Sequence, residues 1–228
     1  MGYHYQCVHC SSLKLHYNGS MTSDIGRRAG ETVRLSQGQV VEISKQGGSL
    51  RHILVGAGWD PSEAGANMDI DSSVILFSPD NLEHELIFYN NKQHPSGCVI
   101  HHGDNLVGGV MDGNNTSDSE NIDVSLEKMP SNRDKLVFVF NIYGCFARRQ
   151  NFGSVRNLYI RLNNLDTRQT LVEYQVNSDM KCYTGLIVGM AYLSGGAWFF
   201  KAIGKGANVA DVHELVNVCH EYLCSNAQ

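Results

Sequence analysis

The sequence predicts an all-β protein: a β-sandwich of two stacked, mostly antiparallel sheets, with a C-terminal helix and an N-terminal appendage. Three features of the 228-residue chain lead there. Short apolar runs rich in Val, Ile, Phe and Tyr recur between turn residues, which is the composition of strands. Some of these runs alternate apolar with polar and others are apolar throughout, as stacked sheets require when only some strands keep a solvated face. No helical pattern separates successive runs, so the crossovers of a parallel α/β sheet are missing.

Residues 1–33 are polar and glycine-containing without a sustained period, and read as an N-terminal extension; the sandwich domain is expected over 34–228, with the regular pattern beginning at Val33. The strand candidates follow in order: QVVEIS (39–44), HILVGAGW (52–59), SSVILF (72–77), ELIFYN (85–90), CVIHH (98–102) and NIDVSL (121–126). KLVFVFNIY (135–143), LYIRLN (158–163), LVEYQV (171–176), TGLIVGMAYL (184–193) and AWFFKAIG (197–204) complete them. Leu158, Ile160 and Leu162 alternate with Tyr159 and Arg161, which places Arg156 and Arg161 toward solvent, whereas LVFVFNI is apolar on both sides. GKGAN (204–208) is too short for a phosphate-binding loop and reads as a turn into the last helix. That helix, NVADVHELVNVCHEYL, carries an apolar stripe of Val209, Val212, Leu215, Val216 and either Val218 or Cys219.

A net charge of −5, with Arg27-Arg28 and Arg148-Arg149 only as isolated pairs, gives no electrostatic footprint for nucleic acid. Trp59, Trp198, Phe199 and the tyrosines lack the interleaved basic residues of a base-stacking platform and read as core or rim aromatics. There is no apolar run of about 18 residues and no basic-then-apolar start, so no transmembrane segment and a cytoplasmic location are expected. Seven cysteines, an odd number, suit reduced thiols; Cys98, Cys145 and Cys182 are expected as core thiols within strands.

Chemistry concentrates in HHGDNLVGGVMDGNNTSDSENIDVSL (101–126). Asp112, Asn114, Thr116, Asp118 and Glu120 recur every second residue with Asp123 beyond, the ligand spacing of an EF-hand loop, but Ser117 stands where the sharp turn needs glycine and a strand follows where a helix should. The donor type survives the failed match, because oxygen ligands without cysteine favour Ca²⁺. A second cluster, GAGWDPSEAGANMDIDSS, offers Asp60, Asp69 and Asp71, the last two on one side if DID opens a strand. Clustered carboxylates repel one another unless a cation neutralises them.

GAGWD (56–60), DIDSS (69–73), IFYNN (87–91), GDNLVG (103–108), DSENIDVSL (118–126), NFGSVRNLYIRL (151–162) and GGAWFFKAIGKG (195–206) together resemble, in order, the TerD family of tellurium-resistance and stress proteins. The resemblance covers roughly residues 34–206 and implies a calcium-binding β-sandwich. It implies Asp69, Asp71, Asp104, Asn105, Asp118 and Glu120 as ligands, with Asp60 and Asp112 in support. Two departures stand out: DGNNTS expands the acidic linker, and DSE replaces a D-D-E pattern. With fewer charges, a second calcium ion is expected to bind weakly or not at all.

Competing chemistry is poorly supported. His101-His102 before Asp104 suggests a metallohydrolase and Cys98 a nucleophile, but neither has an assigned base or spaced zinc ligands around it. Alternation sends Cys98 and Ile100 to one face and His101 to the other, so the histidines are expected at a strand end on the rim. The favoured reading is a non-enzymatic calcium-binding module acting through protein partners of a stress or defence system. The alternative is a metal-dependent enzyme acting on an anionic or phosphorylated substrate. A separate expectation concerns zinc. Cys7 and Cys10 form a CVHC knuckle with two-residue spacing, and the last helix offers His220 and Cys224 four apart, with His213 and Cys219 in reserve.

Overall fold

The computed structural model describes residues 31–44, 50–61, 68–103, 118–176 and 178–226, and arranges their twelve strands in two six-stranded sheets. The first half of the chain supplies β1 (Val33–Leu35), β2 (Val40–Glu42), β3 (His52–Pro61), β4 (Ile70–Phe77), β5 (His84–Ile87), β6 (Val99–His101) and β7 (Glu120–Ser125). The second half supplies β8 (Lys135–Ile142), the short helix α1 (Cys145–Arg148), β9 (Val155–Asn164), β10 (Gln169–Gln175), β11 (Gly185–Ser194), β12 (Ala197–Ala207) and the helix α2 (Val212–Ser225). The first sheet runs β1-β10-β9-β3-β7-β6 and the second β2-β12-β11-β8-β4-β5. β1 and β10 run parallel, and the other neighbours are antiparallel. All eleven anticipated runs are strands, and Val33 opens the pattern as a short additional one.

The two kinds of strand pattern have a direct cause. Between the sheets, Ile53, Val55 and Ala57 of β3 and Leu158, Ile160 and Leu162 of β9 meet Val74, Leu76, Phe138 and Phe140 of the second sheet. The opposite face of that second sheet is also covered, since Ile75, Phe77, Val137, Val139, Ile187 and Met190 pack against Val212, Leu215, Val216, Cys219 and Leu223 of α2. β8 is therefore buried at all eight positions, which is why its sequence does not alternate. Asp211 caps α2 by accepting the N–H groups of His213 and Glu214, and Glu214 reaches back to the N–H of Ala210, which satisfies donors the first turn would leave open.

Three local expectations fail. GKGAN is not a turn, because β12 continues through Ala207; its Gly206 leaves the space that the Tyr183 ring occupies. Cys145 lies in α1, not in a strand, with its thiol donating to the carbonyl of Val209, and Cys182 is exposed in a 3-10 turn. Cys98 is buried as expected, but it precedes β6 and does not share the exposed face of Ile100. Among the described residues no helix is long and apolar enough to cross a membrane.

Candidate metal centre

Register places the acidic residues at one end of the sandwich. Asp71 opposes Asn141 where β4 begins and β8 ends, and Ala57 opposes Glu120 where β7 begins. The two sheets are pinned together at this end. β5 stops at Ile87, paired with Val74, so it does not reach as far along β4 as Ser72. Side chains from the first sheet take over: the Ser72 N–H donates to Glu120 Oε2 at 2.6 Å, and the Ser72 carbonyl accepts from His101 Nε2 at 2.9 Å. His101 Nδ1 accepts the N–H of Gly103 at 2.9 Å, which fixes the neutral tautomer with its proton on Nε2. Burial lowers the His101 pKa below its ordinary value, an effect partly offset by the Ser72 carbonyl.

Along β4 the side chains alternate, and this separates the carboxylates. Ile70, Val74 and Leu76 face the space between the sheets, as Glu120 does on β7 beside Ile122 and Val124. Asp71 and Ser73 therefore lie on the other face of β4, with Ile75 and Phe77. Asn141 is buried beside Asp71, its Nδ2 3.4 Å from Asp71 Oδ2. Among the described residues, the buried side-chain oxygens of Ser72, Ser73 and Asn141 find no hydrogen-bond partner.

Asp118 lies on a third surface, the outer face of the first sheet. It is 4 % exposed, and its Oδ2 accepts from Arg161 Nε at 3.0 Å and pairs with Nη2 at 2.8 Å, while its Oδ1 accepts from the Tyr159 hydroxyl at 2.9 Å. The expectation that Arg161 faces solvent is thus wrong: the polar face of β9 is covered here by Asp118. GAG in β3 explains how. A Cβ on Gly56 would collide with the Asp118 carboxylate and one on Gly58 with the Tyr159 ring, so bare backbone forms the floor of this ion pair. Because Arg161 and Tyr159 hold the carboxylate in place, Gly56→Ala is expected to destabilise by about 1–3 kcal/mol, the usual cost of overpacking. Urea denaturation checks this, and an unchanged midpoint would mean that the carboxylate swings aside freely.

Asp60 is exposed and accepts from Asn157 Nδ2 at 2.8 Å. Asp69, half-buried, precedes β4 and its carbonyl accepts the N–H of Tyr143. Asp104, Asn105 and Asp112 lie outside the described residues, as do Cys7 and Cys10; Asp104 directly follows Gly103 in sequence. The described residues contain no group of three or more His, Cys, Asp or Glu side chains that would hold a metal by themselves.

The histidines also diverge. His101 is buried, not at an open rim, whereas His102 is exposed and pairs with Asp123 at 2.9 Å on the outer face. Burial raises the Cys98 thiol pKa, which disfavours the nucleophilic thiolate. Sequence reasoning missed Asn141, Tyr159 and the pinning roles of His101 and Glu120; GAG, two glycines on one strand face, was the available signal for close approach at Asp118.

The family model described as TerD domain matches residues 32–222, which extends the family region beyond the motif-bearing 34–206 and into α2. General stress protein 16U of Bacillus subtilis is 38 % identical over 180 residues, covering 77 % of this chain and 91 % of that protein. Tellurium resistance protein TerD of Serratia marcescens is 35 % identical over 195 residues, covering 84 % and 97 %. A crystal structure of a TerD homologue from Streptomyces coelicolor A3(2) superposes with a TM-score of 0.53 at 16 % identity, over 72 % of this chain and 95 % of that one.

Proposed function

Because the chain belongs to the TerD family of tellurium-resistance and stress-response proteins, we propose that it is a non-enzymatic calcium-binding module that acts through protein partners. The observation that carries the reading is the arrangement at one sandwich end. Asp69 and Asp71 stand at the start of β4 with the Asn141 amide beside Asp71, and Glu120 of the other sheet hydrogen-bonds the same stretch at the Ser72 N–H; Asp104 and Asn105 follow, in sequence, the Gly103 whose N–H donates to His101.

The donor chemistry fits Ca²⁺. Its ligands are oxygens, and the one buried imidazole nearby is already committed at both nitrogens. The described carboxylates are too few and too separated to form a cage, so Asp104 and Asn105 complete the proposed set of Asp69, Asp71 and Glu120. Asp118 enters as a buttress, because a guanidinium 2.8 Å away opposes a cation at the same oxygen. Asp60 and Asp112 are the remaining oxygen donors for a weaker second ion.

Calcium should raise Tm and magnesium should do so far less, since loop-borne ligands suit the larger, geometrically tolerant ion. At a hundredfold excess over Kd the stabilisation is about 2.7 kcal/mol. Thermal melts with calorimetric titration measure both effects, and Asp104→Ala should remove most of the calcium shift while Asp112→Ala leaves it. A wild-type Tm indifferent to saturating calcium overturns the reading.

A further inference from the structure

His220 and Cys224 approach one another on α2, with Cys224 Sγ 3.9 Å from Nδ1, but among the described residues no third ligand joins them. The surface that asks for a partner is the turn after β8. Tyr143, Phe146, Ala147, Arg148 and Arg149 are all exposed there, Tyr143 by 52 % and Phe146 by 59 %. The turn is nonetheless well tied. The Tyr143 N–H donates to the Asp69 carbonyl at 2.8 Å, the buried Cys145 thiol donates to the Val209 carbonyl, and the Gln150 N–H donates to the Cys145 carbonyl at 2.8 Å. Gly144 and Arg149 bracket the single turn of α1, both left-handed, a conformation that a residue such as arginine rarely adopts. The fold thus holds two rings and two guanidiniums out from the acidic end of the sandwich on a firm base.

The Arg148 guanidinium lies over the Tyr143 ring, 5.8 Å from its centroid, so charge and ring share one surface. Arg148 and Arg149 join none of the arginine ion pairs among the described residues. The whole chain carries −5, which makes this a local cationic tip on an anionic protein. Aromatic rings beside guanidiniums match the interface of an anionic bilayer, where rings sit at headgroup level and basic side chains gain from the negative surface potential. A protein partner fits less well. A stable interface takes about 800 Å² from each side, whereas two rings supply about 300–500 Å².

We propose that this turn is a docking tip for an anionic membrane surface and that calcium controls it. The control rests on the calcium reading above. Asp69 and Asp71 stand at the base of the turn, through the Tyr143–Asp69 bond and the Asp71–Asn141 register pair. Their carboxylates repel anionic headgroups until a cation neutralises them. Two rings and two arginines by themselves give marginal, reversible binding, as a single membrane anchor does, so lifting that repulsion decides whether the tip stays bound.

The test floats the full chain with phosphatidylcholine vesicles, with and without phosphatidylglycerol, in calcium or in a calcium chelator. Binding should require both phosphatidylglycerol and calcium. Phe146→Ser should weaken it about tenfold, and Arg148→Gln and Arg149→Gln roughly fivefold each. Leu193→Ser, exposed at the opposite end of the sandwich, should leave it unchanged. All four variants should keep the wild-type calcium shift in Tm, which separates a failure of docking from a failure of calcium binding. A wild type that gains Tm in calcium yet ignores anionic vesicles overturns the docking proposal alone, and one that shows neither response overturns both readings. Binding that persists in chelator or without phosphatidylglycerol, or that Phe146→Ser leaves intact, also overturns the proposal. So does a dimer that forms without vesicles and is lost in Phe146→Ser, which would give the tip to a second copy of the chain.

Discussion

Arg161→Met should destabilise the protein by about 3–5 kcal/mol, the cost of leaving a buried carboxylate without its counter-ion. Asp118 and Arg161 are both almost fully buried, with two guanidinium nitrogens against one carboxylate oxygen. A solvated surface pair would be worth about 0–1 kcal/mol, so the magnitude discriminates cleanly. The companion experiment is Asp118→Leu with Arg161→Met. Removing both charges together should recover most of the loss, because the penalty lies in the unpaired charge and not in the missing attraction. Urea denaturation of the two singles and the double completes the cycle, and a single-mutant loss under about 1 kcal/mol would show that water reaches the pair.

Leu215→Ala comes next in size, at about 2–5 kcal/mol. Leu215 is fully buried at the centre of the α2 contact, and its methyl groups border the space beside Gly185. For a chain of this length each kcal/mol corresponds to roughly 2–4 °C in Tm, so the fall should be visible in a simple melt. Val218→Ala, at a partly buried position of the same helix, should cost much less. Equal losses at the two sites would mean that the helix packs differently against the second sheet.

The strands were legible because period two leaves its mark wherever one face is wet, as at Leu158, Ile160 and Leu162. The same rule misled at Arg161. A polar residue on an alternating strand reads as solvated, and nothing local to it reports a carboxylate 43 positions away. His101 failed for a related reason, since its burial depends on β5 ending short of Ser72, a matter of strand length in another part of the chain. Family motifs indicated the acidic end of the sandwich, but they carry no information on which face of a strand each carboxylate takes. Alternation in β4 supplies that, and sets Asp71 on the opposite side of its sheet from Glu120.

The pairing of the earliest strands has a consequence for biosynthesis. β1 and β2 are edge strands whose partners, β10 and β12, emerge from the ribosome well over a hundred residues later. Neither can settle while the intervening chain is still being made. The apolar face formed by Ile75, Phe77, Val137 and Val139 lacks the cover of α2 until that helix has been made. A nascent chain of this topology therefore carries an open sheet edge and a bare greasy face through most of its translation, the combination that draws holdase chaperones and invites aggregation. Closure by α2 completes the second core last, so nonsense truncation anywhere before Val212 should yield a species that chaperones retain and proteases clear.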